Sequence, residues 1–177
     1  MQIQPDLALQ AVLKSLTEVI APAVDPGDKM AQEQIGLVIG LLTLVKSRLP
    51  IAFGYNCDEL ARLTKLAEAI LPAAGSVALR VALDRGASTL ERTQTSPGDL
   101  NAAIGALRSA IGDAASTLPA RSDAAGRAAV RALLDASSAQ LLRERSWVSM
   151  QGWESDPGSL PDLEMLIAGA ADKGTSP

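Results

Sequence analysis

Histidine is absent from the 177 residues, and cysteine occurs once, at Cys57. The missing imidazole excludes Ser-His-Asp and Cys-His catalysis, histidine metal sites and haem held by histidine. A single cysteine excludes an intramolecular disulfide framework and any multi-cysteine zinc site. No metal and no cofactor are expected. A surplus of basic residues is also missing: residues 1–145 carry 15 acids and 15 bases, and the net charge of −4 belongs to the segment beyond Arg145. A neutral body has no basic stripe for nucleic acid and no lysine and arginine excess for an anionic membrane. Long apolar runs are lacking as well. The longest, Ile35–Val45, is interrupted by Gly36, Gly40 and Thr43, and as a helix it would span roughly 16 Å, about half a bilayer core. The first residues, Met1 to Asp6, show no basic start of a secretory signal. The expectation is a cytoplasmic chain that engages neither nucleic acid nor membrane.

Short chemical motifs are equally sparse. Neither GxGxxG nor GxxxxGK[ST] occurs, and there is no GxSxG nucleophile elbow. A helical di-iron site would need Glu-x-x-His pairs. Cys57 precedes Asp58 and Glu59, whose negative charges oppose a thiolate, so it reads as a structural cysteine.

What is abundant is alanine and leucine, 31 and 26 residues. Both favour helix, whereas the residues typical of strands are few. The chain therefore reads as an all-α protein: an antiparallel bundle of about six helices over residues 1–145, followed over 146–177 by an acidic C-terminal arm with a short amphipathic helix. A first helix starts near Pro5 and ends at Pro22, with Leu9, Val12, Leu13, Leu16, Val19 and Ile20 on one buried face. A second runs from Asp28 to Leu49. Its middle is apolar nearly all round, as expected of a central helix surrounded by others, and Gly36 and Gly40 would permit a close crossing. After a connection over Ile51–Cys57, a third helix begins with Asn56 as N-cap and carries Leu60, Leu63, Leu66, Ala67, Ile70 and Leu71 inward, with Asp58 and Arg62 on the outside. A turn at Pro72–Ser76 separates it from a fourth, ending near Arg92. The fifth runs from Ser96 to Leu118, and the sixth from Ser122 to Arg145, with Asp123, Arg127, Arg131 and Asp135 as a solvated charge ladder. The arm's helix starts near Ser159 and includes Leu163, Leu166 and Ile167, and the last residues, 172–177, read as disordered. Pro-Gly-Asp opens both the second and the fifth helix, 71 residues apart, a pattern compatible with two pseudo-repeated three-helix halves.

The four aromatics fall in two short segments, Phe53 with Tyr55 and Trp147 with Trp153, flanked by Arg48, Arg143 and Arg145. These residue types are enriched at binding hot spots, and they equally suit the anchoring of an arm on a bundle. Whether the two segments meet depends on the break at Pro72–Gly75, because one long kinked helix would put them at opposite ends. The functional expectation is a non-catalytic helical accessory protein that binds a protein partner or itself. Sequestering an apolar small molecule, in a cavity lined by Ile39, Leu42, Val45 and Leu63, is the alternative. A histidine-independent enzyme built on Arg48, Tyr55 and Glu144 is the third reading.

Overall fold

The computed structural model describes residues 4–92 and 94–171. The fold is all-α. Among the described residues there are seven helices and no strands. Helix α1 spans Pro5–Ser15 and continues through a π turn at Leu16–Ile20 into a closing turn at Ala21–Ala23. The widened turn lies just ahead of Pro22, which has no N–H and whose ring would crowd the carbonyl of Glu18 in a regular helix. Helix α2 is Lys29–Arg48, α3 Ala52–Ala74, α4 Val77–Glu91, α5 Pro97–Thr117, α6 Ala124–Val148 and α7 Leu163–Ala171. The expected disorder of 172–177 lies outside the described residues.

Helix starts follow the capping residues. Asp28 accepts from the Ala31 amide at 2.9 Å, Ser76 from Leu79 at 3.2 Å and Ser96 from Asp99 at 3.0 Å. Pro-Gly-Asp serves two different starts. Before α2, Pro26 and Gly27 lie in the preceding turn and Asp28 is the cap, whereas in α5 Pro97 is already the first helical residue. The break between α3 and α4 falls at Gly75, which adopts φ +61°, a left-handed conformation that an L side chain would strain. Pro72 lies inside the last turn of α3 without ending it.

Two compact units emerge among the described residues, one made of residues 4–52 with 145–161, the other of 53–144 with 162–171. In the second unit, Leu60, Ala67 and Ile70 of α3 pack with Leu79 of α4, Leu100, Ile104, Leu107 and Ile111 of α5, and Ala129 of α6. Small side chains allow the close approach. A Cβ on Gly86 of α4 would come within 2.7 Å of a Leu107 methyl. Helices α3 and α6 run antiparallel, pinned at one end by Arg121 Nη1 on the Ala73 carbonyl at 2.6 Å and at the other by Arg143 on Asp58.

The first unit is different. Leu44 is its one buried apolar side chain among the described residues, and no residue of α1 is buried. The expected inward face of α1 is only partly covered, with Val12, Val19 and Ile20 exposed. The expected central position of α2 is also corrected, since Leu37, Val38, Leu41 and Val45 face outward. All-round apolar character cannot be buried by a unit with so few helices. Of the two glycines, Gly40 receives a neighbour, its carbonyl accepting from Gln151 Nε2 at 3.1 Å, while a Cβ on Gly36 would meet nothing within 4 Å.

Three local expectations change in the second unit. Helix α3 starts at Ala52, four residues before Asn56, which instead donates from Nδ2 to Asn101 Oδ1 at 3.1 Å. No breaker strong enough to delay the helix follows Pro50, so Phe53 and Tyr55 are helical. Asp58 points inward and is buried. Asp123 caps α6, accepting from the Gly126 amide at 2.7 Å, and the Arg121 and Gly126 bonds hold its carboxyl below the usual range. All four ladder residues, Asp123 included, are exposed as expected.

Candidate functional site

The helical register of α3 brings charge into its core face. Glu59 lies in the series 59, 63, 66, 70, the same stripe as Leu63, Leu66 and Ile70, and Asp58 stands beside it. On α6 the series 129, 133, 136, 140, 143 ends with Arg143. The antiparallel packing of α3 and α6 therefore delivers a guanidinium to two carboxylates inside the second unit. Arg143 bonds Asp58 Oδ2 and reaches Glu59 Oε2 at 3.8 Å, with a side chain only 1% exposed. Its guanidinium also covers the Tyr55 ring, 4.3 Å from the centroid. Burial pushes the Tyr55 hydroxyl above its ordinary pKa, and the adjacent Arg143 charge works against that rise.

Two further arginines approach from the outer side. Arg62 Nε donates to Asp58 Oδ2 at 2.7 Å and its Nη2 to the Leu166 carbonyl of α7 at 3.1 Å. Arg108 of α5 donates from Nη2 to Glu59 Oε1 at 2.8 Å. Asp58 Oδ1, Glu59 Oε2 and Arg143 Nε are buried without a hydrogen bond. Unsatisfied atoms of this kind are rare in a folded core because desolvation is not compensated. Beside the cluster opens a cleft of about 560 Å³. Leu63, Leu66 and Ala69 of α3 and Ala132, Ala136 and Leu141 of α6 line its apolar part, and Glu59, Arg62, Arg108 and Glu144 its charged end. Of the expected apolar cavity, only Leu63 belongs to this cleft; Ile39, Leu42 and Val45 belong to α2.

In the first unit the flanking arginines have separate tasks. Arg48 donates from Nε to the Trp147 carbonyl at 3.0 Å and from Nη2 to that of Ser146 at 3.3 Å, and its guanidinium lies 5.8 Å from the Trp147 ring centroid. Arg145 holds Glu154 through two bonds, at 2.9 and 2.7 Å, which keeps the glutamate carboxyl below its ordinary pKa. The close neighbours are thus Arg48 with Trp147, and Tyr55 with Arg143. Phe53 and Trp153 are largely exposed, at 48% and 67%. Of the three groups named for histidine-independent catalysis, Arg48 is engaged by Trp147, Tyr55 is packed on Arg143, and Glu144 edges the cleft, accepting from Gln140 at 2.9 Å. Cys57 packs against the core and burial raises its thiol pKa.

Asp58, Glu59, Arg62 and Arg108 were not read as site residues from the sequence. The signal for them is the register itself, which puts Glu59 on the apolar stripe of α3. Among the described residues no group of three or more cysteine and acidic side chains is placed to hold a metal ion, and no single helix is long and apolar enough to cross a membrane. No protein-family model matches the chain, and comparison with curated proteins and with solved structures returned no match.

Proposed function

We propose that this protein is a non-catalytic helical interaction protein that docks through the outward face of α2, with a second copy of the chain as partner. The observation that supports this reading is the stripe Leu37, Val38, Leu41 and Val45, each 43–49% exposed, in a unit whose one buried apolar side chain is Leu44. Each side chain is already about half covered, so burying the remainder contributes about 1 kcal/mol apiece. Monomeric proteins seldom leave contiguous apolar surface of this kind uncovered. Between Gln34 and Val45 the helix carries no charged residue. The face therefore meets its own copy across a two-fold axis without like-charge repulsion, and Gly36 leaves room for close approach.

Size-exclusion chromatography with light scattering tests this. The expected result is a dimer that Leu41→Glu converts to a monomer with unchanged helical circular dichroism. A wild-type chain that stays monomeric at its highest soluble concentration would refute self-association. An unaltered dimer in Leu41→Glu would move the interface elsewhere.

A further inference from the structure

The cleft of the second unit is polarised along its length. Because α3 and α6 are antiparallel, residues 59–62 of α3 and 140–144 of α6 share one end, while 66–69 and 132–136 share the other. Glu59, Arg62 and Glu144 charge the first end, with Leu141 beside them, and Leu66, Ala69, Ala132 and Ala136 line the second. From Glu59 to Ala69 the α3 axis rises about 15 Å, the reach of a medium-length alkyl chain. The volume of about 560 Å³ falls within the ordinary range of small-molecule sites, and apolar walls with a few polar groups at one end are their usual make-up.

Charge selects the head. Arg62, Lys65 and Arg108 line the cleft against Glu59 and Glu144, and behind them Asp58 and Arg143 offset each other. One positive charge is left over. Arg108 is the group placed to use it: its side chain is 53% exposed and spends one donor on Glu59. An arginine held at one nitrogen still presents donors in a fixed fork that suits a carboxylate. Arg143 stands 3.8 Å behind the Glu59 carboxylate, whose other oxygen accepts from Arg108.

We propose that this cleft binds a monoanionic amphiphile, a carboxylate or similar single-charge head on a linear apolar chain, with the head at Arg108 and Lys65 and the chain along Leu63, Leu66 and Ala136. This site is independent of the α2 face.

The test uses the full chain and decanoate below its micelle concentration, with decanol and decyltrimethylammonium as matched neutral and cationic probes. Calorimetry gives affinity, and amide chemical shifts give location. Saturable one-to-one binding of decanoate is expected, with shifts in residues 59–69 and 132–144. Removing the charge with Arg108→Met weakens decanoate about tenfold or more, the value of one charge-assisted hydrogen bond, and leaves decanol unchanged. Lys65→Met provides the same comparison without touching the Glu59 bond, should Arg108→Met fail to fold. Ala136→Trp, checked for helicity, fills the cleft and removes both ligands. Vesicles of neutral and of anionic phospholipid separate a free amphiphile from a membrane headgroup. The proposal is overturned by absence of saturable binding, by equal affinity for the cationic probe, by shifts confined to α2, by full affinity in folded Ala136→Trp, or by response to anionic vesicles alone.

Discussion

Arg143 on α6 and Asp58 on α3, 85 positions apart in the chain, form an ion pair sealed from solvent inside the second unit. Removing one partner leaves the other charged, desolvated and without full compensation. Such a loss costs about 3–5 kcal/mol, whereas replacing both partners by apolar side chains of similar volume is often nearly neutral. Arg143→Met is therefore expected to destabilise strongly, and Asp58→Leu combined with Arg143→Met to recover much of the loss. Urea unfolding of the two single variants and the double variant measures this. A double variant as unstable as the sum of the singles would show that the pair is not the coupled element.

Two helical glycines should respond in opposite ways. Gly86 faces Leu107, Thr64 and Leu60, so a larger side chain has no space, and Gly86→Leu is expected to cost about 1–3 kcal/mol as an overpacked core does. A Cβ on Gly105 would meet no neighbouring element within 4 Å. There Gly105→Ala should stabilise by about 0.5–1 kcal/mol through helix propensity alone. Thermal melts followed at 222 nm compare them directly.

The α3–α4 break supplies a backbone test. Ser76→Ala removes the acceptor for the Leu79 amide and should cost about 1 kcal/mol, while Ser76→Asp keeps a capping oxygen and should cost little. Gly75→Ala places a Cβ at φ +61° and should cost about 1–2 kcal/mol. Denaturant midpoints report each change.

Acid should weaken the first unit through Glu154. The paired Arg145 guanidinium holds the folded carboxyl below its ordinary pKa, so on acidification the unfolded chain takes up this proton first. The contribution is complete above the ordinary glutamate pKa and fades as pH falls towards the lower folded value. Glu154→Gln should flatten that part of the stability-against-pH profile, and because the pair is exposed at Arg145, added salt should reduce the difference. Identical profiles for the two proteins would remove the pair from acid sensitivity.

Much of the architecture was legible before any tertiary contact. Alanine and leucine content determined an all-α chain, and Pro5, Asp28, Ser76 and Ser96 marked helix starts because caps and first-turn prolines act over three or four residues. The core stripe Leu60, Ala67 and Ile70 was likewise readable from 3.6-residue spacing. What spacing could not decide was which neighbour each face would meet. The same apolar pattern is half-covered on α2, where few helices are at hand, and enclosed on α3. The i,i+4 pair Asp58–Arg62 looks the same whether it faces water or the interior. Only the antiparallel packing of α3 against α6, which sets Arg143 opposite Asp58 and Glu59, buried Asp58, left Arg62 at the rim and gave the cleft its charged end. Local chemistry determined most helix starts, though not that of α3, which begins at Ala52; burial, which depends on partners such as Arg143 and Asp58, 85 positions apart, was decided by the fold.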